Sequence, residues 1–289
     1  MAVPQLDDAH STSVQAPARA RLLAITSLIV VACSAALVLL ARYAVGSVSG
    51  QRLDTAAMDS VDGSTATMMT LLDGLGSISI GTAAVGLVLC VVLAVARRQY
   101  AQAVGAVALV AGANITTQVL KYQVIDRPDL GVGDVVPNGL PSGHATVVAS
   151  LVLAALLVAP RALRAPLAAL GTAATVITGA STVVADWHRP SDVLAALLVS
   201  LIWGALIVLV LSWNDFGAEV RSSSVRTVMP GTVAIIGAAL AGVLLIGVGV
   251  RPDDGWADLE LAAWMLAAIA AASAACIDSF ARLSATYAS

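Results

Sequence analysis

The chain has 289 residues, of which 59% are hydrophobic and 11% are charged, and its formal net charge is −3. Soluble domains carry about 25% charged residues, so this composition excludes a soluble globular protein. We predict no nucleic-acid partner. The composition predicts an integral membrane protein that has the lipid bilayer as its surroundings.

Eight apolar segments approach or reach the length of about 17–25 residues that a helix needs to cross a bilayer. In chain order they cover residues 22–44, 76–96, 101–120, 144–159, 165–184, 193–212, 232–250 and 261–277. None alternates apolar and polar residues with the period of two that a barrel strand shows. We therefore predict an all-α fold, a polytopic transmembrane helical bundle with short loops and no separate soluble domain.

Residues 1–21 precede the first span and are polar and rich in small residues. Such a segment cannot bury enough apolar surface to fold, so its composition predicts a disordered tail. The tail ends in Arg19 and Arg21, and clustered arginines of this kind favour the cytoplasmic side of a membrane.

The distribution of Lys and Arg predicts the orientation of the whole bundle. With the N-terminus in the cytoplasm, the cytoplasmic side holds nine arginines and the opposite side holds six Lys or Arg residues. Three of these six, Lys121, Arg127 and Arg189, lie in polar stretches that are candidates for a functional site. We predict a multi-pass protein of the cell membrane with both termini in the cytoplasm.

Three polar stretches stand between the apolar segments: "LKYQVIDRP" at 120–128, "LPSGHATVV" at 140–148 and "ADWHRPSDV" at 185–193. Two antiparallel helices are predicted between the second and third stretches, so these emerge on the same face of the membrane. The first stretch closes the preceding span and ends on that face too. Charged groups kept next to a bilayer usually mark a site, and we predict one site at the extracytoplasmic surface.

The second stretch is suited to bind an anion. Ser142 has the position of a helix N-cap, which leaves the amides of Gly143 and His144 free at the positive end of the helix dipole. Glycine there lets an oxyanion approach the backbone without a β-carbon in the way. Lys121, the only lysine in the chain, and Arg127 add positive charge. This pattern predicts a phosphate-binding site.

In the third stretch, His188 and Asp192 are spaced to share one face of a helix that begins near Pro190. A carboxylate bonded to one imidazole nitrogen fixes the tautomer and leaves the other nitrogen as a nucleophile. We therefore predict a His–Asp dyad, with His144 across the site as a general acid. The alternative is structural, namely an N-capping aspartate beside an interfacial histidine and Trp187.

A metal site is a competing use of two histidines and an aspartate. Lys121, Arg127 and Arg189 would repel a divalent cation, whereas they suit a phosphoryl group. The charge pattern therefore favours phosphate over a metal and adds Arg189 to the candidate phosphate ligands.

These stretches resemble the signature of the type 2 phosphatidic acid phosphatase superfamily. Its members carry K-x-x-x-x-x-x-R-P, P-S-G-H and S-R-x-x-x-x-x-H-x-x-x-D on a core of six membrane helices. Residues 141–144 match the second motif completely, and Ser181, His188 and Asp192 match the third at the family spacing. The resemblance covers about residues 70–212 of the chain.

The resemblance implies metal-independent and cofactor-independent dephosphorylation of a lipid phosphate or diphosphate, such as a polyprenyl diphosphate or a phospholipid phosphate. His188 would attack phosphorus to form a phosphohistidine, and Asp192 would orient it. His144 would protonate the leaving group and later activate water. The phosphate oxygens would be held by Lys121, Arg127, Ser142 and Gly143.

Two positions depart from the family pattern. Only five residues separate Lys121 from Arg127 where the family has six, which turns the lysine by about 100° around a helix. Thr182 occupies the place of the family's second arginine and cannot supply a bidentate cationic contact. Either Arg189 takes that role or activity is low.

Two other functions stay open: a degenerate member that binds or transports phosphorylated lipid without hydrolysis, and a lipid phosphotransferase. The intact His144, His188 and Asp192 favour hydrolysis over binding alone, because a binder needs neither a nucleophile nor an acid. A phosphotransferase would share the chemistry and differ only in the acceptor.

The predicted organisation has a six-helix, phosphatase-like core at residues 22–212 and two additional transmembrane helices at 213–289. The seventh span carries Gly237, Gly242 and Gly247. Small residues at such spacing predict close packing between helices in a membrane.

Overall fold

A computed structural model describes residues 8–63, 70, 74, 80–132, 138–213 and 230–287. Within this part of the chain the fold is almost entirely helical, which confirms the predicted all-α bundle. The long helices are α1 (Asp8–Leu40), α2 (Val48–Asp59), α3 (Ile80–Ala96), α4 (Tyr100–Val119), α5 (Gly143–Val158), α6 (Arg161–Val184), α7 (Pro190–Trp213), α8 (Pro230–Gly247) and α9 (Leu259–Leu283).

Short elements extend or connect these helices. A π-helical turn at Ala41–Val45 continues α1, another at Leu120–Val124 continues α4, and a 3₁₀ turn at Ser284–Tyr287 follows α9. Two short strands, β1 (Val61–Asp62) and β2 (Arg251–Pro252), pair in antiparallel fashion.

Each of the eight predicted apolar segments is helical over its described residues, except at 159 and 248–250, where two segments end. Five helices are long and apolar enough to cross a membrane: 20–45, 100–124, 161–184, 190–213 and 259–283. Three shorter apolar helices, at 84–96, 143–158 and 231–247, correspond to the remaining predicted segments. Many large apolar side chains on these helices are exposed, as expected where helices face lipid. The chain is a multi-pass membrane protein.

The N-terminal segment differs from the prediction of a disordered tail. Helix α1 begins at Asp8, so residues 8–21 are helical, and residues 1–7 lie outside the described part. Once an apolar span is helical, each added residue gains a hydrogen bond without a new nucleation step. Ala and Arg, which recur here, also have high helix propensity.

Helix α7 lies at the centre of the bundle and packs against α1, α4, α5 and α9. The ring of Phe280 in α9 lies against Gly204 of α7, where an added β-carbon would approach the ring to 2.8 Å. Trp203 of α7 lies against Gly112 of α4, and its Nε1 donates to Thr116 Oγ1 at 2.9 Å. Helix α9, one of the two helices predicted beyond the family core, is thus part of the same packed interior.

Helix α8 packs on α6 and α9, and its glycines differ in role. A β-carbon on Gly237 would lie 2.2 Å from the carbonyl oxygen of Ala169, so this glycine permits close approach to α6. Gly242 and Gly247 have nothing within 4 Å of such a β-carbon. The predicted small-residue packing is therefore present at Gly237, and it is absent at the other two.

Two arginines close the end of the bundle where α5 terminates. Arg97 Nη1 donates to the carbonyl oxygen of Val158 at 2.7 Å. Arg164 donates to the carbonyl of Leu156, and it also reaches the carbonyl of Ala281 at 2.6 Å. The last carbonyls of a helix have no partner within the helix, so these guanidinium groups satisfy them and tie α5, α6 and α9 together.

Helix α2 crosses the opposite end of the bundle and is not among the predicted elements. Ser47 is its N-cap and accepts a hydrogen bond from the amide of Gly50 at 3.0 Å. The β1–β2 pair follows it and is reinforced by an ion pair of 2.6 Å between Arg251 and Asp62. The strand pair and its ion pair connect the segment after α2 to the segment after α8.

Candidate active site

The three polar stretches meet at one end of the bundle, as predicted from the alternation of helix directions. Helix α4 and its π-helical turn end there, α5 begins there, α6 ends there and α7 begins there. The site is therefore built from helix termini, where backbone amides and carbonyls lack partners within their own helices.

The His–Asp pair lies at the start of α7. His188 Nδ1 is 3.0 Å from Asp192 Oδ2, and the same carboxylate oxygen accepts the backbone N–H of Arg189 at 3.1 Å. His188 is 7% exposed and Asp192 is 3% exposed. With its Nδ1–H donated to the carboxylate, the imidazole keeps a free lone pair on Nε2. The spacing of four residues thus produces the predicted contact.

The loop before His188 folds back onto the end of α6. The carbonyl oxygen of Thr182 accepts the backbone N–H groups of Trp187 and His188, both at 3.1 Å. Asp186 has a φ of 55°, in the left-handed region. The Thr182 side chain is fully buried and donates to the carbonyl oxygen of Gly179 at 2.9 Å. Thr182 therefore positions the loop through its backbone, and its hydroxyl is engaged within its own helix.

Ser142 has the predicted N-cap position at the start of α5, where its Oγ accepts the amide of Ala145 at 3.4 Å. Its own N–H donates to the carbonyl oxygen of Asp192 at 2.9 Å, which joins the starts of α5 and α7. The amides of Gly143 and His144 follow at the positive end of the helix. A β-carbon on Gly143 would have its nearest neighbour, Gln118, at 3.9 Å, so the approach to this backbone is open.

His144 faces the dyad from the first turn of α5. Its ring centroid is 6.5 Å from that of His188 and 5.6 Å from that of Trp187. A phosphoryl group between the two imidazoles would contact one on each side. The two histidines therefore differ in their surroundings. His188 is bonded to Asp192, whereas His144 has no carboxylate partner among the hydrogen bonds described.

A groove of about 840 Å³ opens beside the two histidines. Its polar end is formed by Lys121, Gly143, His144 and His188. Its walls continue along α3, α4 and α5 and include the polar side chains of Asn114 and Gln118, with Tyr122 and Gln123 near Lys121. The remaining lining residues are aliphatic: Ala84, Leu87, Val110, Ala111, Ile115, Val119 and Val147. Lys121 lies in the π-helical turn that ends α4, and it reaches the groove despite the shorter spacing to Arg127.

Arg127 and Arg189 lie on the side of the site that faces α2. Arg189 Nε is 3.4 Å from Thr55 Oγ1 of that helix. Arg127 has a buried Nη2 atom with no hydrogen-bond partner among the described residues. Burial and the nearby Arg189 lower the pKa of Arg127, while Asp54 and Asp192 oppose that shift. Two neighbouring guanidinium groups with an unsatisfied donor form a place that favours an anion.

Gly139 is a site residue that the sequence analysis missed. A β-carbon there would lie 2.4 Å from Asp192 Oδ2 and 3.4 Å from His188 Nδ1. The absence of a side chain therefore lets the loop before α5 cover the dyad. A glycine three residues before the N-cap serine is the only signal for this contact in the sequence, and it does not disclose the partner.

The site offers little to a metal ion. Among the residues that the structure describes, no three His, Cys, Asp or Glu side chains are close enough together to bind one. The nearby cations Lys121, Arg127 and Arg189 would further disfavour a divalent ion.

The comparisons with known proteins give one match. The family model described as the PAP2 superfamily matches residues 102–216. Searches of curated proteins and of solved structures found no match. The matched segment contains all three polar stretches and runs from α4 to the end of α7. This match over residues 102–216 confirms the resemblance to the type 2 phosphatidic acid phosphatase superfamily recognised in the motifs, and members of the PAP2 superfamily are phosphatases.

Proposed function

We propose that this protein hydrolyses a membrane lipid phosphate or diphosphate through a phosphohistidine intermediate. The observation that carries the proposal is the His188–Asp192 contact of 3.0 Å at a helix N-terminus, facing His144 across the open groove. A nucleophile, a candidate acid and several positive groups meet at one point. That combination suits phosphoryl transfer, in which catalysis depends on positioning and charge stabilisation.

In the first step, the lone pair on His188 Nε2 forms a bond to phosphorus while the bond from phosphorus to the lipid oxygen breaks. His144, protonated, gives its proton to that leaving oxygen, so the lipid alcohol or lipid phosphate departs neutral at this atom. Asp192 holds the Nδ1–H and stabilises the positive charge that develops on the ring. Lys121, Arg127, Arg189 and the amides at the start of α5 stabilise the phosphoryl oxygens.

In the second step, water attacks the phosphohistidine. His144, now neutral, takes a proton from the water as its oxygen bonds to phosphorus. The bond between phosphorus and His188 Nε2 breaks, which releases inorganic phosphate and restores the imidazole. His144 is then protonated and His188 is neutral, as at the start of the cycle.

The groove supports a lipid substrate over a soluble phosphate ester. Its polar end holds the candidate catalytic groups, and its walls, which are mainly aliphatic, continue along three helices. A polyprenyl diphosphate and a phospholipid phosphate both have a charged head and an apolar chain that fit this division. We therefore propose both lipid types as substrate classes.

We expect the purified protein to release phosphate from at least one member of a panel of polyprenyl diphosphates, phosphatidic acid and phosphatidylglycerol phosphate, with or without chelator.

His188→Ala should lower turnover by a factor on the order of 10⁴, since a nucleophile has no substitute. Rapid quenching should trap an acid-labile phosphoenzyme in the wild type that is missing from this variant. Binding of lipid phosphate without release of phosphate would instead indicate the non-hydrolysing member. Transfer to an added alcohol in place of water would indicate a phosphotransferase.

His144→Ala should have an effect that depends on the leaving group. The loss in kcat/KM should be small for p-nitrophenyl phosphate and much larger for an alkyl phosphate, because a general acid matters most for a basic leaving group. The measurement is the ratio of the two losses. Equal losses on both substrates would remove His144 from the role of acid.

Arg189 is the proposed replacement for the arginine that is absent at position 182. Arg189→Ala should raise the barrier by about 2–4 kcal/mol, the range for loss of one preorganised donor to a developing oxyanion. Arg52→Ala, which removes an exposed arginine from α2, is the matched control and should leave kcat/KM unchanged. If Arg189→Ala behaves like Arg52→Ala, then Lys121, Arg127 and the helix amides hold the phosphate without Arg189.

We also propose that the site opens on the extracytoplasmic side, on the basis of the Lys and Arg distribution. The test uses a background in which Cys33, Cys90 and Cys276 are replaced. Cysteine at the exposed position 129, near the site, should react with a membrane-impermeant thiol reagent in intact cells. Cysteine at the exposed position 162, at the other end of the bundle, should react only after the cells are broken. The opposite labelling pattern would reverse the orientation.

A further inference from the structure

Helix α2 contacts two separate parts of the site, the loop after α4 and the first turn of α7, although it lies outside the matched family segment. Gln51 Nε2 donates to the carbonyl oxygens of Val45 at 2.8 Å and of Pro128 at 3.0 Å. Pro128 follows Arg127 directly. Thr55 accepts from Arg189, and Asp54 binds Ser191 in the first turn of α7. A single short helix therefore links the loop of Arg127 to the turn that carries the dyad.

The contact between Asp54 and Ser191 is the most complete of these. Asp54 Oδ1 accepts the backbone N–H of Ser191 at 3.0 Å, and Oδ2 accepts the Ser191 hydroxyl at 2.5 Å. Asp54 is only 7% exposed. Its carboxylate acts as a helix cap supplied from a distant part of the chain, at the positive end of α7.

Ser191 immediately precedes Asp192 and lies three residues after His188. Any movement of the first turn of α7 would change the distance between the imidazole and the carboxylate of the dyad. The local sequence provides two hydrogen bonds in this turn, from the Arg189 amide to the Asp192 carboxylate at 3.1 Å and from the Asp192 amide to the Arg189 carbonyl at 3.0 Å. Ser142 of α5 restrains the same turn by donating to the Asp192 carbonyl. Asp54 adds a restraint from outside the helix, through both of its oxygens.

The charge of Asp54 is part of this arrangement. Burial raises the pKa of Asp54 to about 6, and Asp192 adds to that shift, while the two hydrogen bonds from Ser191 and the positive charge of Arg189 oppose it. A carboxylate kept in a buried position has a desolvation cost, which is offset only where its partners are specific. The desolvation cost of the Asp54 carboxylate therefore indicates that it does more than cap a helix at the protein surface.

We infer that Asp54 is a positioning residue for the proposed hydrolysis, through which α2 holds the first turn of α7 and the His188–Asp192 dyad in their reactive geometry. The inference rests on the proposed function, in which His188 is the nucleophile. It predicts a larger effect on the chemical step than on substrate binding, because Lys121, Arg127 and the start of α5, which also hold the phosphate in the proposed function, lie outside the turn that Asp54 contacts.

The test compares Asp54→Ala with Asp59→Ala, which removes an exposed carboxylate from the last residue of the same helix. Asp54→Ala should lower kcat by a factor on the order of 10–100, the effect of a small misplacement of reacting groups. Its KM should change by less than about threefold, because binding is retained. Asp54→Asn can still accept from the Ser191 amide, so its kcat should fall less than that of Asp54→Ala. Its kcat should still fall below that of the wild type, because charge-assisted hydrogen bonds are about twice as strong as neutral ones. Asp59→Ala should match the wild type.

A second measurement does not depend on turnover. The proton shared by His188 Nδ1 and Asp192 should give a downfield NMR resonance in ¹⁵N-histidine-labelled protein. That resonance should shift or broaden in Asp54→Ala and stay unchanged in Asp59→Ala. If Asp54→Ala does not fold, Asp54→Asn and Ser191→Ala take its place and should both lower kcat while the melting temperature is kept.

The outcomes separate this inference from the proposed function. A wild-type protein that hydrolyses nothing would overturn the proposed function, and the resonance would still decide whether Asp54 holds the dyad. An active wild type with unchanged kcat and an unchanged resonance in the Asp54 variants would overturn the positioning role. A rise in KM at constant kcat would also overturn it, because it would place Asp54 in binding.

Discussion

The hydrogen bond from the Ser142 amide to the carbonyl oxygen of Asp192, at 2.9 Å, fixes the arrangement on which the site depends. It joins the N-terminus of α5 to the first turn of α7, two helices that run in the same direction through the bundle. Each helix N-terminus carries about half a positive elementary charge. Bringing two such ends together concentrates positive potential at one point, which requires compensating anions.

The neighbouring side chains supply part of that compensation. The carboxylate of Asp192 faces His188, and that of Asp54 binds the first turn of α7. Lys121, Arg127 and Arg189 add positive charge to the same region, and Arg127 retains a buried donor without a partner among the described residues. The positive charges around the site thus favour binding of an additional anion. A phosphoryl group supplies both the negative charge and the acceptor oxygens.

The membrane setting explains why these groups are confined to helix ends. Backbone polar groups within a bilayer must be satisfied inside the protein, so the helix interiors are apolar and the polar chemistry is restricted to their termini. The groove between α3, α4 and α5 connects the two environments, with imidazoles and Lys121 at one end and mainly aliphatic side chains along its length, Asn114 and Gln118 excepted. This arrangement would let a lipid present its head group while its chain stays in apolar surroundings.

The sequence by itself determined the features that depend on local spacing. The lengths of the apolar segments predicted the membrane helices, and their alternation placed three polar stretches at one end. Four-residue spacing on a helix predicted the contact of His188 with Asp192. Ser142 was identified as an N-cap from its position before an apolar helix. These inferences hold because helical geometry relates nearby residues in a fixed way.

Only the tertiary structure decided the contacts between distant parts of the chain. Asp54 and Ser191 are 137 positions apart in the sequence, and nothing in the polar segment around Asp54 discloses its partner. The cover that Gly139 forms over the dyad, the inward direction of the Thr182 hydroxyl and the position of Arg127 beside Arg189 likewise depend on how loops fold over the helix ends. Sequence patterns predict helices because helical geometry repeats along the backbone. Loops bring residues together through packing contacts that follow no periodic pattern in the sequence.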